Sequence, residues 1–208
     1  MALLGKRETI LFQGDSITDC GRDRGDLYSL GVGYPLMVAS HLSAACMGSD
    51  LTFINKGVSG DRACALVGRW GADCVDLKPT IVSILIGVND TWRRYDSNDP
   101  TSTEAFEDNY RSILERTANE TGAKIILLEP FVLPVFEAQK LWREDIDPKI
   151  QAVRRLSREF KTLYVPLDGI FAAASTKKPP EFWASDGVHP TYAGNGLIAS
   201  EWVKAALE

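Results

Sequence analysis

Four short segments of the 208-residue chain gather the residue types that do nucleophilic and acid–base chemistry. They are Gly14-Asp15-Ser16-Ile17-Thr18, Asn55-Lys56-Gly57-Val58-Ser59-Gly60-Asp61, Gly87-Val88-Asn89-Asp90 and Asp186-Gly187-Val188-His189-Pro190. Acyl transfer needs a nucleophile, a base that takes its proton, and donors aimed at the oxyanion. A serine hydroxyl is too weak an acid to react alone at neutral pH. It needs a histidine, and the histidine needs a carboxylate on its other nitrogen to fix the tautomer. Asp186 and His189 are three residues apart, so one turn of chain can set the carboxylate against the ring. The chain has only two histidines. His41 falls in a helical pattern among small residues and reads as a surface or packing residue, which leaves His189 as the base for Ser16. The expected oxyanion donors are the Ser16 N–H, the Gly60 N–H and the Asn89 side-chain amide. A buried side-chain donor of this kind is worth about 3–4 kcal/mol in the barrier. Each segment alone is weak, since Gly-Asp-Ser and Gly-x-Asn-Asp both occur in ordinary turns. The ordered set, with its members at strand ends, carries the reading.

Positioning such a set needs a particular scaffold. Apolar runs predict strands at 9–13, 51–55, 80–86, 124–128 and 162–165. The third is nearly all apolar and β-branched, as a strand buried on both faces should be. Helical patterns fall at 34–46, within 61–77, and at 103–121, 147–161 and 191–207. Thr103 is the expected N-cap of the third helix and Gly122 its stop. Pro148 is expected at the first position of the fourth. Alternating strands and helices imply an α/β fold, a parallel sheet with helices on both faces. Ligands then bind at the carboxyl ends of the strands, where the first three segments lie. No repeat or linker divides the chain, so one domain over 1–208 is expected.

Composition narrows the partners. The chain is 45% hydrophobic and 25% charged, with net charge −5, which argues against nucleic acid or an anionic membrane as partner. No run approaches the ~20 apolar residues of a membrane helix. The first ten residues are too short an apolar stretch for a signal peptide, so the chain as given is expected in the cytoplasm. Cys20, Cys46, Cys64 and Cys74 form no Cys-x-x-Cys pair, and with two histidines no metal site or cofactor is expected.

Other residues have two readings each. Asp15 and Asp90 are each either a general base or, the preferred reading, a residue that holds its turn by hydrogen bonds, with Asp15 also a candidate substrate contact. Asp19 and Arg22 contact substrate or pair with each other. Trp92, Arg93 and Tyr95 lie just beyond the third strand, where Trp92 and Tyr95 are candidate substrate-binding rings. Trp183 either shields the Asp186–His189 loop and touches substrate, or packs. Glu129-Pro130-Phe131 is expected on the cleft rim. The aromatic stretch 131–145 reads as a lid or a subunit contact, which leaves a homo-oligomer open.

The segments around Ser16, Gly60, Asn89 and His189, in that order, resemble the four blocks of the GDSL/SGNH hydrolase superfamily, from about Ile10 to Gly194. The resemblance implies a three-layer α/β/α fold like flavodoxin. It also implies a triad of Ser16, His189 and Asp186, an oxyanion hole of Ser16, Gly60 and Asn89, and no metal. A narrower resemblance is to bacterial acetylxylan esterases. It rests on Gly14 to Arg22, Asn55 to Gly60, the Arg69-Trp70 pair and Gly87 to Asp96. Asp61 stands where those relatives tend to have Asn, and Ser185-Asp186-Gly187 differs from their neighbours of the catalytic Asp. The expected activity is hydrolysis of small acyl esters, acetyl above all, on xylo-oligosaccharides or other sugars, through an acyl-enzyme. One rival is a lysophospholipase- or thioesterase-like member. Another is a non-catalytic carbohydrate-binding protein, which often loses the Ser or His present here.

Overall fold

A computed structural model describes residues 4–207. Residues 1–3 and 208, included in the expected domain and in the reading of the N-terminus, lie outside the described residues. Five parallel strands form one sheet: β1 (Arg7–Gly14), β2 (Asp50–Asn55), β3 (Ile81–Leu85), β4 (Lys124–Leu128) and β5 (Leu163–Val165), in the order β2-β1-β3-β4-β5. Register is continuous, with Ile10 paired to Phe53 on one side and Ile81 on the other. The chain winds outward from β1 to β2, then reverses to β3. That reversal opens a crevice between β1 and β3 at their carboxyl ends.

Every central strand alternates between two apolar cores, because successive side chains point to opposite faces. Ile10, Phe12, Ile81, Leu85, Ile126 and Leu128 face one core, covered by α2 (Tyr34–Ala45), α7 (Leu167–Ser175) and α9 (Tyr192–Leu207). Leu11, Val82, Ile84, Ile125 and Leu127 face the other, under α3 (Ala63–Asp73) and α5 (Thr103–Arg116). The long α6 (Arg143–Phe160) sends Ile146 and Ile150 to the first core, and Val153 and Leu156 to the second. This is the expected three-layer α/β/α architecture. No helix among the described residues is long and apolar enough to cross a membrane. The four cysteines are free thiols.

Two expected helix starts move. Ser102, not Thr103, caps α5, its hydroxyl accepting from the Ala105 N–H at 3.1 Å. Pro148 lies inside α6 rather than at its start. The turn ahead of it is held by Arg143, bonded to Asp147 and Asp168, and by buried Ile146. Gly122 does end the third helical region, with φ 68°, after a short π turn at Thr117–Thr121. Four short helices carried no clear sequence signal: α1 (Ser16–Asp19), α4 (Val88–Asp96), α7 (Leu167–Ser175) and α8 (Pro180–Trp183).

Candidate active site

Asp15 ends the extended path of β1 and caps α1, its Oδ1 accepting from the Ile17 N–H at 3.0 Å. Ser16 is thereby the first residue of α1, where a backbone N–H has no partner within the helix. Its Oγ lies 2.9 Å from His189 Nε2. The other ring nitrogen, Nδ1, lies 2.7 Å from Asp186 Oδ2. Burial pushes the Asp186 carboxyl up, but the His189 ring and the backbone N–H groups of His189 and Val188 more than offset it. The group lies below its ordinary value and is ionised at neutral pH. An ionised carboxylate only accepts, so Nδ1 donates to it and Nε2 is left to accept the serine proton.

The loop that carries this pair is held from three sides. Asp186 Oδ1 accepts from Val188 N at 2.9 Å and His189 N at 2.7 Å. An antiparallel bridge between Ala184 and Pro190 closes its base. Gln139 Nε2 donates to the Asp186 carbonyl at 2.6 Å, while its Oε1 accepts from the backbone of Val135 and Phe136. The side chains of His189 and Asp186 are 42% and 40% exposed, so the triad lies open to solvent.

The other segments converge on Ser16 through hydrogen bonds. Val58 N donates to Gly14 O at 3.0 Å, and Asp19 Oδ2 accepts from both the N–H and the hydroxyl of Ser59 at 3.0 Å. Gly60 follows with φ +89°, a conformation that favours glycine. Asn89 Nδ2 donates to Asp61 O at 3.0 Å, which sets the amide beside Gly60 and leaves its second N–H for a ligand. Asp90 Oδ2 accepts from Ala63 N at 3.1 Å. All residues of the expected triad and oxyanion hole therefore meet at the carboxyl ends of β1, β2 and β3.

The candidate substrate residues divide. Trp92 lies 6.0 Å from the His189 ring, centroid to centroid. It packs on Trp142 at 5.4 Å, which stacks on Tyr95 at 5.6 Å. Tyr95 reaches the triad only through that row of rings, and its hydroxyl donates to Leu141 O. Trp183 packs edge-on against Phe182 and donates to Lys178 O at 3.3 Å. Asp15 is buried in its turn, which leaves no face for substrate. Asp19 pairs with Arg24, not Arg22, because Arg22 Nε donates to Gly57 O. Glu129 does not line the rim: it is fully buried, bonded to Arg154, the Tyr164 hydroxyl and the Asp168 N–H. In the 131–145 stretch Phe131, Val132, Leu133 and Trp142 are buried, while Phe136 and Leu141 stay exposed. His41 is exposed on α2. Sequence reasoning missed Trp142 and Gln139, whose roles depend on partners some fifty residues away, Trp92 and Tyr95 for the first and the Asp186 carbonyl for the second.

A profile of the GDSL-like lipase/acylhydrolase family matches residues 12–197. The chain belongs to this family. As a GDSL acylhydrolase it is a carboxylic ester hydrolase. It is 34% identical over 217 positions to an acetylxylan esterase of Geobacillus stearothermophilus, covering 97% of this chain and 99% of the relative. The solved structure of Axe2, an acetylxylan esterase from the same organism, superposes with a TM-score of 0.89 at 33% identity, covering 96% of this chain and 94% of that one. A GDSL-like protein from Parabacteroides merdae superposes with a TM-score of 0.92 at 37% identity, covering 99% of both chains. Catalytic mutants of Axe2 replace a serine, an aspartate and a histidine, the last two three residues apart.

Proposed function

We propose that this GDSL hydrolase removes acetyl groups from sugars, xylo-oligosaccharides first among them, through a Ser16 acyl-enzyme. The continuous hydrogen-bonded line from Ser16 through His189 to Asp186 carries the reading. His189 Nε2 takes the Ser16 proton as Oγ attacks the acetyl carbonyl. The tetrahedral oxyanion rests on the Ser16 and Gly60 N–H groups and the free Asn89 amide N–H. His189 then protonates the departing sugar hydroxyl, and water repeats the cycle on the acetyl-enzyme.

Three features support a small acyl group on a large polar alcohol. The Asp186 and His189 side chains are about 40% exposed, so a bulky sugar reaches them without a deep cavity. Trp92 stands beside His189 and narrows the space next to it. Half-buried Trp92 and Tyr95, backed by buried Trp142, offer ring surface of the kind on which sugars stack. The spacing of aspartate and histidine among the Axe2 catalytic mutants equals that of Asp186 and His189, and the Geobacillus relatives are named as acetylxylan esterases.

The test is acetate release from acetylated xylo-oligosaccharides by wild type and Ser16→Ala. Release by the wild type alone is expected. Ser16→Ala should lower turnover by at least about 10³-fold with the circular dichroism spectrum unchanged. Full activity in that variant removes the nucleophile assignment. Cleavage of a simple acetyl ester without release from the sugar removes the substrate assignment and keeps the triad.

A further inference from the structure

One side chain that touches none of the reacting groups bonds to residues neighbouring the expected oxyanion donors. Arg69 lies on α3, with its side chain 18% exposed. Its Nε donates to Asp61 Oδ2 at 2.8 Å. Its Nη1 donates to Gln13 Oε1 at 2.9 Å and to Asp73 Oδ2 at 3.1 Å. Its Nη2 donates to the Gly14 carbonyl at 3.3 Å. Four contacts therefore use most of the five N–H groups of a rigid, planar fork.

The placement of those acceptors matters. Gly14 lies two residues before Ser16, and Asp61 directly follows Gly60. One guanidinium thus bridges the strand end that presents the Ser16 N–H and the loop that presents the Gly60 N–H. Asp61 extends the bridge to the third donor, because its carbonyl accepts from Asn89 Nδ2 at 3.0 Å. Its carboxylate is 14% exposed and is held by Arg69. Gln13 is fully buried and donates to Asp73 O at 2.6 Å, which anchors the fork to the body of the sheet.

We propose that Arg69 and Asp61 form a positioning clamp that sets the mutual spacing of the three oxyanion donors. The proposal rests on the reading of Ser16 as nucleophile and of these donors as the oxyanion hole. Donors act on the transition state only when preorganised, and a displacement of ~1 Å costs roughly 10²-fold in rate. Loss of the clamp should therefore appear in kcat, because the ground-state carbonyl depends on these donors less than the oxyanion does.

The experiment compares Arg69→Met, Arg69→Lys, Asp61→Ala, Asp61→Asn and Ser16→Ala on p-nitrophenyl acetate. It measures kcat, KM, melting temperature and inhibition by phenylboronic acid, whose serine adduct carries an oxygen where the oxyanion forms. A clamp predicts that Arg69→Met, Arg69→Lys and Asp61→Ala lose roughly 10–100-fold in kcat. KM should stay within about threefold and phenylboronic acid should weaken in step with kcat. Asp61→Asn keeps an oxygen for Arg69 Nε and should recover most of the loss. If Arg69→Met does not fold, the two Asp61 variants carry the comparison. Wild-type kcat in the clamp variants, with Ser16→Ala inactive, overturns the clamp and leaves the nucleophile standing. Wild-type kcat in Arg69→Lys alone, a loss confined to KM, or a loss that tracks the folded fraction also overturns it. An active Ser16→Ala overturns the nucleophile and the clamp with it.

Discussion

Asp186 does two jobs with two oxygens. Oδ2 receives the His189 ring, and Oδ1 receives two backbone N–H groups of its own loop. Asp186→Asn separates these jobs. The amide keeps one oxygen for the backbone but turns an NH2 toward Nδ1. The ring must then accept at Nδ1 and carry its proton on Nε2, where it blocks the Ser16 hydroxyl. Turnover on a simple acetyl ester should fall by roughly 10³–10⁴-fold at neutral pH, with little change in melting temperature. Asp186→Ala should cost both activity and stability, since the Val188 and His189 N–H groups lose their acceptor. Equal melting losses in both variants would mean that the loop does not depend on Oδ1. At this scale the sequence was informative because Ser16, Asp186 and His189 are reactive types in short, local spacings. Arg69 entered only as part of the Arg69-Trp70 pair, and its role and that of Gln139 were not legible, since the bonds that define them reach Gly14 and Asp186, 55 and 47 residues away. Nothing local marks an arginine on a helix as a bridge between two loops.

The element that carries Asp186 and His189 is a five-residue loop pinched between Ala184 and Pro190. At its centre Gly187 has φ +86°, and a Cβ built there would lie 2.4 Å from the Leu133 carbonyl and 2.6 Å from Gln139 Oε1. The carbonyl belongs to a residue already bonded to this loop, Leu133 N donating to Gly187 O at 2.8 Å, so it has little room to retreat. Gly187→Ala therefore combines about 1–3 kcal/mol of backbone strain with a clash. The loop should shift as a unit, carrying His189 away from Ser16. Thermal unfolding should show a drop of several degrees, and kcat/KM should fall by about 10²-fold. A variant with wild-type values for both would show that the loop yields without moving the triad. Elements with strong periodicity, such as β3 and α5, were legible because burial on a fixed face writes a pattern into the chain. The site-bearing α4 was not. It is short and polar, starts from Gly87 at φ +132° without a side-chain cap, and gains its packing from Trp92 and Tyr95 against distant Trp142.

Over the whole molecule, the site places two carboxyl groups where water does not reach. Asp15 and Asp90 are 1% and 0% exposed, each has one oxygen bonded to a backbone N–H, and each has a second oxygen without a partner among the described residues. Burial is the main cause that pushes both up, from an ordinary 3.8 to about 7. The native state thus holds protons that the unfolded chain releases near pH 4. Stability from these groups is fully present below pH 3.8 and is lost progressively as pH rises to about 7, where the native carboxyls also ionise. Each tenfold difference in proton affinity between the folded and unfolded states is worth about 1.4 kcal/mol, so the loss per group reaches about 4 kcal/mol before relaxation. Asp186 works in the opposite direction: its lowered value gives stability that is lost as pH falls through the acid range, and its exposure makes that contribution small. The enzyme should therefore be most stable in mild acid, near pH 5, and soften toward pH 8. Asp15→Asn and Asp90→Asn keep the backbone acceptor and remove the titration. Their denaturant midpoints should exceed the wild type's at pH 8 and approach it at pH 5, and the double variant should show the flattest profile. A wild-type midpoint that rises from pH 5 to pH 8, unchanged by either substitution, would mean that both carboxyls stay ionised in the folded state. Their unpartnered oxygens would then have to be met by ordered water beneath the oxyanion hole.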